Sequence, residues 1–248
     1  MIGQEIIFLE EVDSTNRYMM DLLSRQPVNS GTVVRAGFQT AGRGMDNNAW
    51  ESAPGTNLTF SFVIYPSYLG ADQQFYLNKV ISLALADLLA KEMPDPSLLK
   101  IKWPNDIYAG KRKLAGMLVQ NGVKGNRFEF SVIGIGLNVN QESFQSHSPD
   151  PVSLKNLAGK EYNLDMLLGK LLASIEARLG MLKRGERPVL DKDYLERLYQ
   201  LGTVERYIYK GREIRAKING VNRYGQLILE IPGEKILECD LKEVKFVL

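Results

Sequence analysis

Apolar positions along this chain follow first one period and then another, which predicts a mixed fold. Residues 6–9 form a short apolar run of the kind a buried strand carries. Asp13, Ser14 and Thr15 offer helix-capping oxygens ahead of Tyr18, Met19, Leu22 and Leu23 at helical spacing. Residues 32–38 read as a strand. Residues 39–50 lack apolar periodicity and hold two close glycines, Gly42 and Gly44, which predicts a loop. Residues 57–64 alternate, with Leu58, Phe60, Phe62 and Ile64 on one face. Residues 73–92 predict a long helix with Leu77, Ile81, Leu85 and Leu88 in one stripe, ended by Met93-Pro94-Asp95-Pro96. Strands are expected at 99–103, 106–109, 114–120 and 127–139, with hairpin turns at Gly110-Lys111 and 122–126. Residues 141–151 read as a polar loop, and 164–183 and 191–201 as helices.

After Gly202 the texture changes. Short β-like runs over 204–247 are punctuated by Lys210-Gly211, Tyr224-Gly225 and Pro232-Gly233, the pattern of a small β-barrel that docks on a larger body. The expected organisation is a domain of residues 1–201, α+β with a mostly antiparallel sheet rather than doubly wound, and a β-barrel domain of residues 202–248. The glycine-rich run 133–139 offers either a covered strand or an edge that pairs across the two-fold axis of a homodimer.

Composition narrows the function classes. The chain has 248 residues and a formal net charge of +2, which does not suggest a surface built to coat nucleic acid or a membrane. One cysteine, Cys239, excludes an intramolecular disulfide and a cysteine-built zinc site. No apolar run nears the ~20 residues a bilayer crossing needs. No secretory leader and no basic helix-turn-helix precede Ile6. A cytoplasmic protein without DNA binding is the expectation. His147, the sole histidine, lies in a polar loop and reads as a surface residue; the sequon Asn57-Leu58-Thr59 falls in an alternating strand and is discounted.

Four segments carry candidate chemistry. In Gln39-Thr40-Ala41-Gly42-Arg43-Gly44, glycines flank an arginine, which lets backbone N–H groups approach an anion beside a fixed charge. A surface turn is the plain alternative, and neither GxGxxG nor a P-loop is present. In Lys102-Trp103-Pro104-Asn105-Asp106, a strand end gathers groups suited to a phosphate, a magnesium ion or an amine; a Pro-Asn-Asp turn explains it equally well. Lys111-Arg112-Lys113-Leu114-Ala115-Gly116 is either a solvated hairpin tip or a lysine aimed into a pocket beside tight packing at Ala115. In Gly134-Ile135-Gly136-Leu137-Asn138-Val139-Asn140, alternating glycines bare one strand face, for a bulge or for a flat ligand.

In this order, with Ser14-Thr15-Asn16 ahead of them and Trp50 between, these segments resemble biotin protein ligases (biotin–[acetyl-CoA-carboxylase] ligases) over nearly the whole chain. The resemblance implies that biotin reacts with ATP and Mg²⁺ to give biotinyl-5′-AMP. A lysine of a biotin carboxyl carrier domain, part of a biotin-dependent carboxylase, then takes the biotinyl group. It implies Ser14, Thr15, Asn16 and Gln39 at the biotin ureido ring, and Gly42, Gly116, Gly134 and Gly136 as close-packed wall. Arg43 and Lys113 fall beside the carboxylate and α-phosphate. It puts Gly44, Trp50, Asn105 and Asn138 at the nucleotide, with Trp50 stacked on adenine, and Lys102 at the triphosphate. Asp106 is expected to orient the acceptor ammonium, help it lose a proton, and stand as candidate Mg²⁺ ligand.

One stretch departs from the family. Where relatives often carry further arginines before the tryptophan, this chain has Met45-Asp46-Asn47-Asn48-Ala49. Looser closure over the acyl-adenylate is expected, or charge borrowed from Lys111 or Arg112. Competing readings are a lipoate or octanoate ligase or transferase of the same fold, a DNA-binding regulator that holds biotinyl-AMP, and a non-catalytic carrier-binding tail.

Overall fold

The structure is a computed structural model; it describes residues 1–45, 48–145, 150–233 and 235–247. His147, Asp46 and Asn47 therefore lie outside the described residues.

A seven-stranded sheet has the order β1-β2-β3-β7-β6-β5-β4, with β1 (Ile6–Val12), β2 (Val33–Gln39), β3 (Leu58–Ile64), β4 (Leu99–Lys102), β5 (Asp106–Ala109), β6 (Arg112–Lys124) and β7 (Arg127–Leu137). Only β1–β2 is parallel; the other pairs are antiparallel, as the short hairpin connections require. Helix α1 (Thr15–Arg25) packs on one face through Met19, against Val34, Val63 and Val132. Helices α2 (Phe75–Glu92) and α4 (Leu164–Lys183) belong to the large core on the other face, after the short α3 (Leu154–Ala158). Helix α2 is buried on nearly all sides because α4 and α5 (Arg187–Glu196) pack on it as well.

A second, five-stranded antiparallel sheet follows in the order β11-β10-β9-β8-β12, with β8 (Val204–Tyr209), β9 (Arg212–Val221), β10 (Leu227–Glu230), β11 (Ile236–Cys239) and β12 (Val244–Phe246). Its inward residues Tyr207, Ala216, Ile218, Leu227, Leu229, Cys239 and Val244 join the same hydrophobic cluster as α2 and β4. Buried Trp103 ties the two sheets by donating from Nε1 to the Gly225 carbonyl at 2.8 Å. Trp103→Phe removes that donor and leaves a buried carbonyl unpaired, a cost of about 1–3 kcal/mol. Thermal denaturation should show Tm lowered by roughly 2–4 °C per kcal/mol.

Several expectations change. β1 is an edge strand with Ile6 and Phe8 half exposed, so the run is not buried. The glycine-rich β7 lies between β3 and β6, which rules it out as an edge for two-fold pairing. The turn after β6 begins later than Gly122, which stays in the strand under the Phe130 ring, where a Cβ would fall 2.4 Å from Cε1. The last helix of the larger body starts earlier than residue 191, with Pro at its first turn, and stops at Glu196, where the backbone turns to bond Ile101.

Candidate active site

One face of the large sheet is stripped of bulk. Across the pairing register, Asp106 stands opposite Gly116, Gly116 opposite Gly136, and Gly136 opposite Thr59. One rung further, Leu118 faces Gly134 and Gly134 faces Ser61. A cavity of about 110 Å³ opens over this bare patch, lined by α1's start, residues 43–45 and 48–50, and strands β5, β6 and β7.

The Gly134 rung is polar. The Thr15 hydroxyl lies 3.0 Å from Gln39 Oε1, to which it donates, and 2.7 Å from Ser61 Oγ; Thr15 N–H also donates to Gln39 Oε1 at 2.8 Å. Ser61 Oγ donates to Asn16 Oδ1 at 2.5 Å, and Asn16 Nδ2 donates to Gln120 Oε1 at 3.1 Å. Gly134 is obligatory here, since a Cβ would fall 2.2 Å from Asn16 Oδ1. Ser14 lines the cavity and makes no side-chain cap bond, so its hydroxyl is not committed to the helix. The result is a set of donors and acceptors that matches a ligand ring needing both.

The Gly116–Gly136 rung is charged. Lys113 Nζ binds Asp106 Oδ1 at 2.7 Å, both largely shielded from solvent. Bare Gly116 leaves room for that pair, whose atoms would lie 3.1–3.2 Å from a Cβ there. Arg43 lines the same cavity, although it comes from a distant stretch of chain. At a rise of about 3.3–3.4 Å per residue, the two rungs are roughly 7 Å apart, so a ligand with a polar ring and an anionic end spans them.

Trp50 lies against Gly136, where a Cβ would meet its ring at 2.3 Å, and Lys113 Nζ stands 5.7 Å from the ring centroid. Its Nε1 is buried without a protein partner among the described residues. Residues 42–44 pair with 48–50 through the Gly44 N–H to the Asn48 carbonyl (2.7 Å) and the Trp50 N–H to the Gly42 carbonyl (2.9 Å). Gly42 is the tight crossing point, its Cβ position 2.9 Å from the Trp50 carbonyl. Gly136→Val forces Trp50 off the strand; at about 1–3 kcal/mol for overpacking, ligand binding should weaken by about ten- to a hundredfold. Titration monitored by tryptophan fluorescence checks it.

Not every expected residue reaches the cavity. Asn105 lines it, yet its Nδ2 is spent on the Met117 carbonyl at 2.5 Å, pinning the 103–105 turn to β6. Asn138 lies outside the lining and donates from Nδ2 to the Val152 carbonyl at 3.1 Å. Lys102 also lies outside it, its ammonium 4.4 Å from the Phe246 ring centroid and 5.4 Å from that of Tyr108. Lys111 and Arg112 are exposed and take no part in the lining. Asp106, the expected magnesium ligand, is engaged by Lys113, and no cluster of three His, Cys, Asp or Glu exists among the described residues; magnesium carried on substrate phosphates needs only one or two carboxylates.

Ser61 and Gln120 are the polar partners that sequence reasoning missed. The signal was present at β3, where Asn57 just ahead of the strand and Thr59 and Ser61 within it alternate with the apolar face of a strand buried at every position. Buried hydroxyls on a strand imply partners on the covering layer.

Residues 8–138 match the biotin/lipoate A/B protein ligase family. The chain belongs to this family. The bifunctional ligase/repressor BirA of Salmonella typhimurium is 30% identical over 92% of this chain and 70% of its own length. The biotin–[acetyl-CoA-carboxylase] ligase of Mycobacterium tuberculosis is 28% identical over 92% of this chain and 85% of its own. A biotin protein ligase from Aquifex aeolicus, solved with biotin and ATP, superposes with a TM-score of 0.80 at 26% identity over 98% of both chains. The ligase family's fold thus extends through the second sheet.

Proposed function

We propose that this protein is a biotin protein ligase: it joins biotin to ATP as biotinyl-5′-AMP and transfers the biotinyl group to a lysine of a carrier protein. The observation that carries the reading is the convergence of Arg43 and Lys113 on one cavity whose other rung is the Thr15–Gln39–Ser61–Asn16 network. Bringing a carboxylate against an α-phosphate sets anion on anion, and fixed cations lower that repulsion as charge builds on phosphorus. The polar rung takes the ureido ring, with Ser14 supplying a further hydroxyl. After adenylation Asp106 receives the acceptor ammonium at the cavity's edge. In the same proposal residues 1–201 are the catalytic domain and 202–248 an accessory one. The acceptor is a biotin carboxyl carrier domain and the setting cytoplasmic; no helix among the described residues is long and apolar enough to cross a membrane.

Purified protein incubated with biotin, Mg-ATP and a carrier domain should add one biotinyl group to the carrier by intact mass. Lipoate or octanoate in its place should add nothing; acceptance of those acids instead of biotin would overturn the reading.

Met45 and Asn48 line the cavity where relatives often present arginines. A charge-assisted hydrogen bond is worth about 1.5–3 kcal/mol, so Met45→Arg should slow biotinyl-AMP release by about tenfold or more. Filter-binding release rates of labelled adenylate read this directly.

A further inference from the structure

Lys102 occupies an unusual place. It stands opposite Asp106 in the β4–β5 ladder, so both side chains leave the same face of the sheet, the face that carries the cavity. Its ammonium makes no ion pair among the described residues. It is held instead over Phe246 at 4.4 Å and Tyr108 at 5.4 Å. Tyr199 completes the aromatic wall, 5.7 Å from Tyr108 and 6.4 Å from Phe246, and Phe246 is itself braced by Tyr207 at 5.3 Å. Phe246 belongs to β12, the last strand of the second sheet. Burial pushes the Lys102 ammonium below the ordinary lysine range, with Asp106 pulling it back up and Lys113 adding to the depression.

A cation fixed by ring faces stays charged without consuming a carboxylate. Here the carboxylate across the ladder, Asp106, pairs with Lys113 rather than with Lys102. We propose that Lys102 is a positioning residue for the transfer step, held in place by Phe246, and that its charge lowers the proton affinity of the incoming acceptor lysine at Asp106. This rests on the ligase reading and deepens it. The acceptor arrives as an ammonium and must react as an amine. A like charge nearby disfavours its protonated form, while Asp106 accepts the proton. The freed nitrogen lone pair then attacks the biotinyl carbonyl carbon. The new C–N bond forms, the C–O bond to AMP breaks, and AMP leaves with that electron pair; the nitrogen's second proton goes to the departing phosphate, and the first passes from Asp106 to solvent. The charged and titratable groups facing this spot are Asp106 and Tyr108 from β5, Lys113 from β6, Lys100 beside Lys102 on β4, Arg43 from the loop after β2, and Tyr199 after α5.

The test uses full-length protein, preformed biotinyl-AMP and a carrier domain, with single-turnover transfer measured from pH 6 to 10. The rate should rise with pH as the acceptor amine forms. Lys102→Met should move the midpoint of that rise up by about one pH unit, a tenfold loss at neutral pH, while Lys102→Arg restores the wild-type profile. Phe246→Leu should give a partial upward shift, and Phe246→Tyr none. Biotin and ATP KM values should stay within about twofold in every variant. If Lys102→Met lowers the rate equally at all pH values, or raises KM for ATP, Lys102 acts as scaffold or as a nucleotide contact and the proposal fails. Failure of the wild-type protein to transfer biotin at all would sink the ligase reading instead.

Discussion

Lys113→Met should form biotinyl-AMP about a hundred- to a thousandfold more slowly than the wild type, the size seen when one preorganised charge-stabilising group is removed from a developing anion. Lys113 lies on β6 with only part of its side chain exposed, and the glycine at 116 lets its stem fold back toward Asp106. Methionine keeps the length and packing of that stem, so the fold should survive while the ammonium is lost. The measurement is biotin-dependent exchange of pyrophosphate into ATP. A second consequence is for stability. Without Lys113 the Asp106 carboxylate is left partly buried without its close cation, which costs stability, so Tm should fall as well. Lys113→Arg should recover stability more than rate, because a guanidinium is wider than the ammonium the site encloses. Exchange within twofold of wild type in Lys113→Met would remove the cation argument on which the assignment stands.

Asp106→Ala should cut transfer from preformed biotinyl-AMP by about 10²–10⁴-fold, the range for loss of a positioned general base, and should slow adenylation far less. The two half-reactions separate cleanly because biotinyl-AMP can be supplied from outside. Asp106 is the acid that the register places on the glycine-bared face, opposite Gly116. Its resting partner is Lys113; in the proposed reaction the pair parts before the acceptor enters, the adenylate anion giving Lys113 a new partner. Raising the pH should rescue Asp106→Ala in part, since solvent then supplies free acceptor amine. Transfer unaltered by this substitution would take the base role away from Asp106.

Much of this was legible in the residues, and the reasons differ from place to place. Periodicity located the elements because one face of each is buried: β3 and α2 appear within two residues of their predicted bounds. The Gly134/Gly136 pair announced a bared strand face, and the structure puts Asn16 and Trp50 there. What sequence could not supply was direction at the edges. Lys102 sits in the same short motif as Asp106 and on the same sheet face, yet the ring of Phe246 roofs it over. No local pattern reveals a roof contributed from over a hundred residues away. Asn105 and Asn138 look like ligand groups in one dimension because amides are; in three dimensions their N–H groups are absorbed by backbone carbonyls, of Met117 in β6 and of Val152 ahead of α3. Ile6 and Phe8 mislead for another reason: an apolar run marks a strand, but its place in the order, outermost beside β2, decides whether it is covered.

The shared core has a consequence for dissecting this molecule. A chain cut after Leu201 would strip Trp103 of its acceptor, uncover Phe75 where Gly225 now presses on it, and leave Lys102 without Phe246. Such an amputation exposes greasy surface on both pieces at once, so neither fragment inherits an autonomous interior. Loss of activity in that stump would reflect collapse as readily as a missing recognition surface, and the tail's contribution has to be read from single side chains in the intact polypeptide.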